Sequence, residues 1–257
     1  MKSFTSFDGL PISYEVLGTG PAVLLHHGFA SDSRTNWVRS GLADAIADSG
    51  RSVVLIDARG HGESGKPHDP ASYAGGAMAR DVSALLDHLG LEAVHVIGYS
   101  MGSFVAITLA VGRQAEPRLR SVVLGGAGQG QAGLRESGMT LAIAEALEAD
   151  DKTTITSRTA LAFRNFADAT RADRLALAAI QRSRSSTHDM SHLDRITVPT
   201  LVVNGEADTL VGPPRSLAEA IPGARFLAVP GDHLSAVGKP EFRVAVLGWL
   251  GEVAGQD

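Results

Sequence analysis

Hydrophobic positions along the chain fall into two alternating patterns. Short continuous apolar runs recur, among them Ala22-Val23-Leu24-Leu25, Val53-Val54-Leu55-Ile56, Val122-Val123-Leu124 and Leu201-Val202-Val203. A run that is apolar at every position fits a strand covered on both faces. Between these runs, apolar residues stand three or four positions apart, the spacing of a helix with one buried face. Trp37, Leu42 and Ile46 set out a helix over 37–47, closed by Gly50. Met78, Val82, Leu85, Leu86 and Leu89 set out another from about residue 73, stopped by Gly90. Further strands are expected at 4–7 and 12–17, around an Asp8-Gly9 turn, and at 93–97 and 225–229. A buried helix is expected over 103–110, a short one over 213–221 and a closing one over 242–253.

The alternation breaks once. Over 129–189 no strand pattern occurs. Met139, Ile143 and Leu147 form one helical stripe; Leu161, Phe163 and Phe166 belong to a second helix, and Leu175, Leu177 and Ile180 to a third. The pattern predicts a core of residues 1–128 and 190–257 with an all-helical insertion, 129–189. Strands alternating with helices predict an α/β fold: a mostly parallel sheet with helices on both faces. Ligand sites in such sheets collect at the carboxyl ends of the strands.

Composition acts mainly by exclusion. The chain has 257 residues, 44% hydrophobic and 20% charged, enough for one sizeable core. Its net charge of −5 argues against a nucleic-acid partner and offers no basic stripe for a membrane surface. It has no cysteine, which removes disulfides and thiolate chemistry. No stretch approaches the roughly 18 apolar residues of a transmembrane helix. Met1-Lys2-Ser3-Phe4-Thr5 lacks the apolar run of a signal peptide, so a cytoplasmic location is expected. Oligomeric state is not legible.

The candidate chemistry centres on Gly98-Tyr99-Ser100-Met101-Gly102, set between a predicted strand and a predicted helix. Strand, G-x-S-x-G and helix in that order make a tight turn that exposes a serine at its apex. The flanking glycines suit the close approach of strand and helix. The Met101 amide then lies at a helix N-terminus, where developing negative charge is stabilised. A serine hydroxyl needs a general base, and the base needs an orienting acid. Of nine histidines, His233 follows the last predicted strand in a glycine-flanked loop and suits the base. Asp208, after the strand containing Leu201-Val202-Val203, is preferred as the acid over its neighbour Glu206; Asp232 reads as a loop residue. A second oxyanion donor is expected from the Phe29 amide within His27-Gly28-Phe29, with the His27 side chain tying that loop together. Neither a metal site nor a cofactor is predicted.

With these pieces in order, the chain resembles the α/β-hydrolase superfamily over essentially its whole length. The resemblance rests on His27-Gly28-Phe29, the loop Asp57-x-Arg59-Gly60-His61-Gly62-x-Ser64, Gly98-Tyr99-Ser100-Met101-Gly102, Gly205-x-x-Asp208 and Gly231-x-His233. It implies an α/β-hydrolase fold with a mostly parallel eight-stranded sheet and a helical cap. It implies Ser100 as nucleophile, His233 as base, Asp208 as its orienter, and the Phe29 and Met101 amides as oxyanion donors. It also implies that the 57–64 loop is mainly architectural.

A serine at the apex disfavours the branches of this superfamily that use an aspartate nucleophile, such as haloalkane dehalogenases and epoxide hydrolases. The expected activity is hydrolysis of a small carboxylic ester. Lactone, C–C bond or peracid chemistry stays open, as does a ligand receptor with vestigial turnover. Trp37, Tyr99, Phe163, Phe166, Leu210, Val211 and Leu234 are candidate pocket residues. Arg158, Arg164, Arg171, Arg174, Arg182 and Arg184 either form a solvated face or turn one guanidinium inward toward a substrate carboxylate. His188 is expected to be exposed, the alternative being an approach to the pocket from above.

Overall fold

The structure, a computed structural model, describes residues 1–112, 116–129, 138–183 and 192–256. Eight strands form one sheet in the order β1-β2-β4-β3-β5-β6-β7-β8. These are β1 (Lys2–Thr5), β2 (Pro11–Leu17), β3 (Ala22–His26), β4 (Ser52–Ile56), β5 (Val94–Tyr99), β6 (Leu119–Gly125), β7 (Thr200–Gly205) and β8 (Arg225–Val229). β1 and β2 pair antiparallel, β2 runs antiparallel to β4, and every other pairing is parallel. β3, β5 and β7 are buried at every position, which is why apolar residues dominate their sequences, with His95, Thr200 and Asn204 among the buried polar exceptions.

Successive side chains on these strands serve opposite faces. Leu24, Val54, Val96 and Val122 pack into one core beneath α2 (Ala77–Leu89) and α3 (Met101–Val111). Val23, Leu25, Val53, Ile97 and Val123 pack into the other, beneath α1 (Leu42–Asp48) and the final helix, α8 (Pro240–Glu252). The short α7 (Pro214–Ala220) covers β7 on the first face through Leu217.

Two helices begin later than the apolar spacing predicts, and glycine is the reason in both. The segment expected as one helix over 37–47 divides into a wide turn, Arg34–Val38, and α1. Gly41, at φ 71°, takes a left-handed conformation between them. The helix expected from residue 73 starts at Ala77. Gly75 and Gly76 both have positive φ, and residues 70–73 form a separate short turn capped by Asp69.

Within the segment set apart as helical lie α4 (Met139–Glu148), α5 (Arg158–Thr170) and α6 (Arg174–Arg182). Ile143, Leu147, Ala167, Leu177 and Ile180 make a third apolar cluster that includes Ala30 and Tyr73 from the rest of the chain. The Thr170 hydroxyl donates to the Ala30 carbonyl at 2.9 Å, tying the end of α5 to the loop after β3. Arg164 is buried and donates to the carbonyls of Ala146 and Ala149, and Arg174 donates to those of Leu147 and Ala149. These two guanidiniums satisfy the unpaired carbonyls at the end of α4. The boundary expected at residue 189, Arg184 and His188 lie outside the described residues.

Candidate active site

Ser100 stands between β5 and α3 at φ 50°, ψ −111°, a conformation rare for a residue with a side chain. The surroundings hold it there. Its amide donates to the Gly125 carbonyl at 2.7 Å, and the Ser103 hydroxyl donates to the carbonyls of Gly98 and Gly125. A Cβ at Gly98 would overlap the Gly102 carbonyl, and one at Gly102 would overlap the His26 carbonyl. Both flanking glycines are therefore required by close backbone approach.

His233, in the loop after β8, places Nε2 3.0 Å from the Ser100 hydroxyl. Its Nδ1 lies 2.8 Å from Oδ2 of Asp208, in the loop after β7. A carboxylate can only accept, so Nδ1 carries the proton and Nε2 is bare to accept from the serine. The other Asp208 oxygen accepts the Leu210 amide at 3.0 Å, fixing the carboxylate plane. The Tyr99 hydroxyl donates to the His233 carbonyl at 2.7 Å. Burial pushes the Tyr99 phenol above its ordinary value, and the charges of Asp208 and Asp232 add to the shift, so it remains a donor. Glu206 is exposed and Asp232 is folded back on Ser235, so of the three carboxylates considered only Asp208 meets the imidazole.

The loop after β3 is set amide by amide. The Gly28 amide donates to Oδ1 of Asn36 at 2.9 Å, and the Ala30 amide donates to Nε2 of His61 at 3.2 Å. Among the described residues the Phe29 N–H between them has no partner, and neither does that of Met101 at the start of α3. Two unengaged amides beside a serine are the arrangement that stabilises an oxyanion.

His61 in turn donates from Nδ1 to the Arg59 carbonyl. His27 donates from Nδ1 to the Gly28 carbonyl and accepts the Ala58 amide at Nε2. These partners fix the neutral tautomers. Burial, with the neighbouring His27 as a second cause, holds His61 well below the ordinary histidine value. Burial also lowers His27. Among the described residues no group of three or more histidine or acidic side chains is placed to hold a metal ion.

Two cavities meet at this centre. One, of about 120 Å³, is bounded by Phe29, Ser31, Thr35, Asn36, Tyr99 and Ser100. The other, of about 390 Å³, is bounded by Arg158, Thr159, Thr209, Leu210 and Asp232. Phe163, Phe166, His233 and Leu234 line both. Phe163 meets Phe29 edge-on, with ring centroids 5.8 Å apart. Of the predicted pocket residues, Tyr99, Phe163, Phe166, Leu210 and Leu234 lie on these walls. Trp37 and Val211 do not, because both are fully buried. The Trp37 side chain packs into the lower core with Leu25 and Leu42, one position away from a cavity residue but directed into the opposite layer. Asn36 carries no signal in the sequence pattern. Its role depends on the Arg34–Val38 turn carrying an amide back to Gly28, and no spacing rule signals that contact.

With the fold and centre in view, comparison with known proteins identifies the class. Residues 21–176 match the family model described as the alpha/beta hydrolase fold. The chain belongs to that family. It is 43% identical over 109 residues to an sn-1-specific diacylglycerol lipase, ABHD11, of Mus musculus, covering 40% of this chain and 33% of the relative. The matched region spans about a third of the length of the curated relatives it resembles.

Among solved structures it is similar to a hydrolase from Pseudomonas aeruginosa, with a TM-score of 0.73 and 26% identity over 97% of this chain and 98% of that one. It is also similar to a thermophilic esterase from Thermogutta terrifontis, with a TM-score of 0.71 and 25% identity over 98% of both chains. Among the described residues no helix is long and apolar enough to cross a membrane.

Proposed function

We propose that the protein is a serine hydrolase of small carboxylic esters. The observation that carries this reading is the continuous line from Asp208 through His233 to the Ser100 hydroxyl, at 2.8 and 3.0 Å, beside two unengaged amides. Family membership and similarity to an esterase and a diacylglycerol lipase support ester chemistry.

In the proposed reaction His233 accepts the Ser100 proton at Nε2 as the hydroxyl oxygen attacks the ester carbonyl. The imidazolium that forms is stabilised by Asp208 at Nδ1, and the tetrahedral oxyanion by the Phe29 and Met101 amides. Collapse expels the alcohol, which takes the proton from Nε2, and leaves an acyl group on Ser100. Water then attacks that acyl group, giving its proton to His233, and the second collapse returns the proton to Ser100 and releases the acid. Residues 129–189 act in this reading as a cap, with Phe163 and Phe166 of α5 roofing the serine.

The test is turnover of p-nitrophenyl acetate and butyrate, with labelling by a fluorophosphonate probe. Ser100→Ala is expected to abolish labelling and reduce kcat by at least about ten-thousand-fold. A Ser100→Ala variant that retains full turnover would remove this reading.

A further inference from the structure

The two cavities divide a bound ester between them, and the division follows from proton transfer. The acyl half stays bonded to Ser100, whereas the leaving alcohol must take its proton from Nε2 of His233. The 120 Å³ cavity is the one that Ser100 lines. The 390 Å³ cavity is lined by His233 and not by Ser100. Resting on the serine-hydrolase reading, this assigns the small cavity to the acyl half and the large one to the alcohol half.

The large cavity is electrically uneven. Of the arginines noted in the helical segment, Arg164 and Arg174 are bound to the carbonyls ending α4, and Arg182 is paired with Glu148 at 2.6 Å. Arg158, at the start of α5, lines the large cavity and has no hydrogen-bond or ion-pair partner among the described residues. Asp232 lines the same cavity from the His233 loop. Its Oδ1 accepts the Leu234 amide, the Ser235 amide and the Ser235 hydroxyl. One wall therefore carries a carboxylate fixed through one oxygen, and another carries a guanidinium with no partner among the described residues. An anionic group on the alcohol half is repelled from the first and attracted to the second. A guanidinium also matches a carboxylate with two parallel N–H donors.

We propose that Arg158 is a specificity residue that selects esters whose leaving alcohol carries a carboxylate. The experiment compares para-acetoxybenzoate, which has a carboxylate on the leaving phenol, with its neutral methyl ester. The ratio of the two kcat/KM values, taken for the native protein and for Arg158→Gln, cancels their difference in intrinsic reactivity. The ratio is expected to fall about tenfold in Arg158→Gln, through KM, with partial recovery in Arg158→Lys.

Binding of para-hydroxybenzoate to Ser100→Ala protein, measured by calorimetry, is expected to weaken by a similar factor when Arg158→Gln is added. An unchanged ratio, or equal affinity for para-hydroxybenzoate with and without Arg158, overturns the assignment. The calorimetric comparison needs no turnover, so it decides the role of Arg158 even if no ester is hydrolysed. Intact ester turnover with an unchanged ratio rejects Arg158 and leaves the serine chemistry standing.

Discussion

Tyr99 and His233 are 134 positions apart in the chain, and the Tyr99 hydroxyl donates to the His233 backbone carbonyl across 2.7 Å. The residue that precedes the serine thus holds the main chain of the histidine that faces it. Both partners are buried, so the bond is not exchanged with solvent. Removing the hydroxyl leaves a buried carbonyl unsatisfied, which costs about 1–3 kcal/mol. It also frees the His233 loop to shift. Tyr99→Phe is expected to lower kcat about tenfold with little change in KM, because misplacing a base acts on the chemical step. Steady-state kinetics with urea unfolding checks both parts. A change in KM alone would mean that Tyr99 serves only as a cavity wall.

The choice between Asp208 and Glu206 yields a sharper comparison. Asp208 accepts from Nδ1 of His233 and from the Leu210 amide, whereas Glu206 is exposed. Asp208→Asn keeps the shape but presents an amide that can turn its N–H toward Nδ1. The imidazole then carries its proton on the nitrogen that should accept from Ser100. The expected loss in kcat is on the order of ten-thousand-fold. Glu206→Gln changes an exposed charge and is expected to stay within about twofold. Kinetics on p-nitrophenyl butyrate separates the two, and a larger loss from Glu206→Gln would reverse the assignment.

The parts of this architecture that could be read from sequence are those where burial imposes a period. Strands β3 and β5 to β7 were legible because covering both faces makes most of their positions apolar. The serine turn was legible because Gly98 and Gly102 answer a local steric demand. Contacts between distant loops carry no such period. Trp37 was expected at the pocket because it stands close to the Phe29 loop in sequence, but it belongs to the layer beneath the sheet, with Leu25 and Leu42. Left-handed Gly41 and Gly76 delay two helices whose apolar spacing begins before them. The six arginines of the helical segment looked alike in sequence. What distinguishes Arg158 from Arg164 is where the end of α4 leaves its carbonyls.

Arg59 and Asp81 illustrate a contact that no spacing announces. Arg59 is fully buried, with Nε and Nη2 donating to the two oxygens of Asp81 at 2.6 and 2.7 Å. It also donates to Asp8 and to the Ser72 carbonyl. Asp81 takes a further bond from the Ser6 hydroxyl at 2.6 Å. The pair joins the 57–64 loop to α2 and to the first hairpin. Arg59→Met leaves the Asp81 carboxylate buried without its counterion, which costs about 3–5 kcal/mol. Asp81→Leu combined with Arg59→Met removes both charges and is expected to recover part of that loss. Urea unfolding of the two variants is the measurement. A single variant within about 0.5 kcal/mol of the native protein would show the pair to be dispensable.

The buried histidines make stability depend on pH in a defined direction. Burial, with His27 alongside as a second cause, takes His26 from its ordinary value of 6.5 down to about 3. His27 and His61 are lowered by burial in the same direction. In the unfolded chain these imidazoles protonate below about pH 6.5, while in the folded chain His26 stays neutral to about pH 3. Over that interval the unfolded state binds the proton and the folded state does not, so stability falls as pH falls. His26 alone contributes a slope of about 1.4 kcal/mol per pH unit, and the other two steepen it. Unfolding midpoints in urea at about pH 7.5 and about pH 5.5 are expected to differ by this route, with a shallower slope in His26→Gln. Equal midpoints at the two pH values, or a slope that His26→Gln leaves untouched, would mean that these imidazoles are protonated in the folded protein.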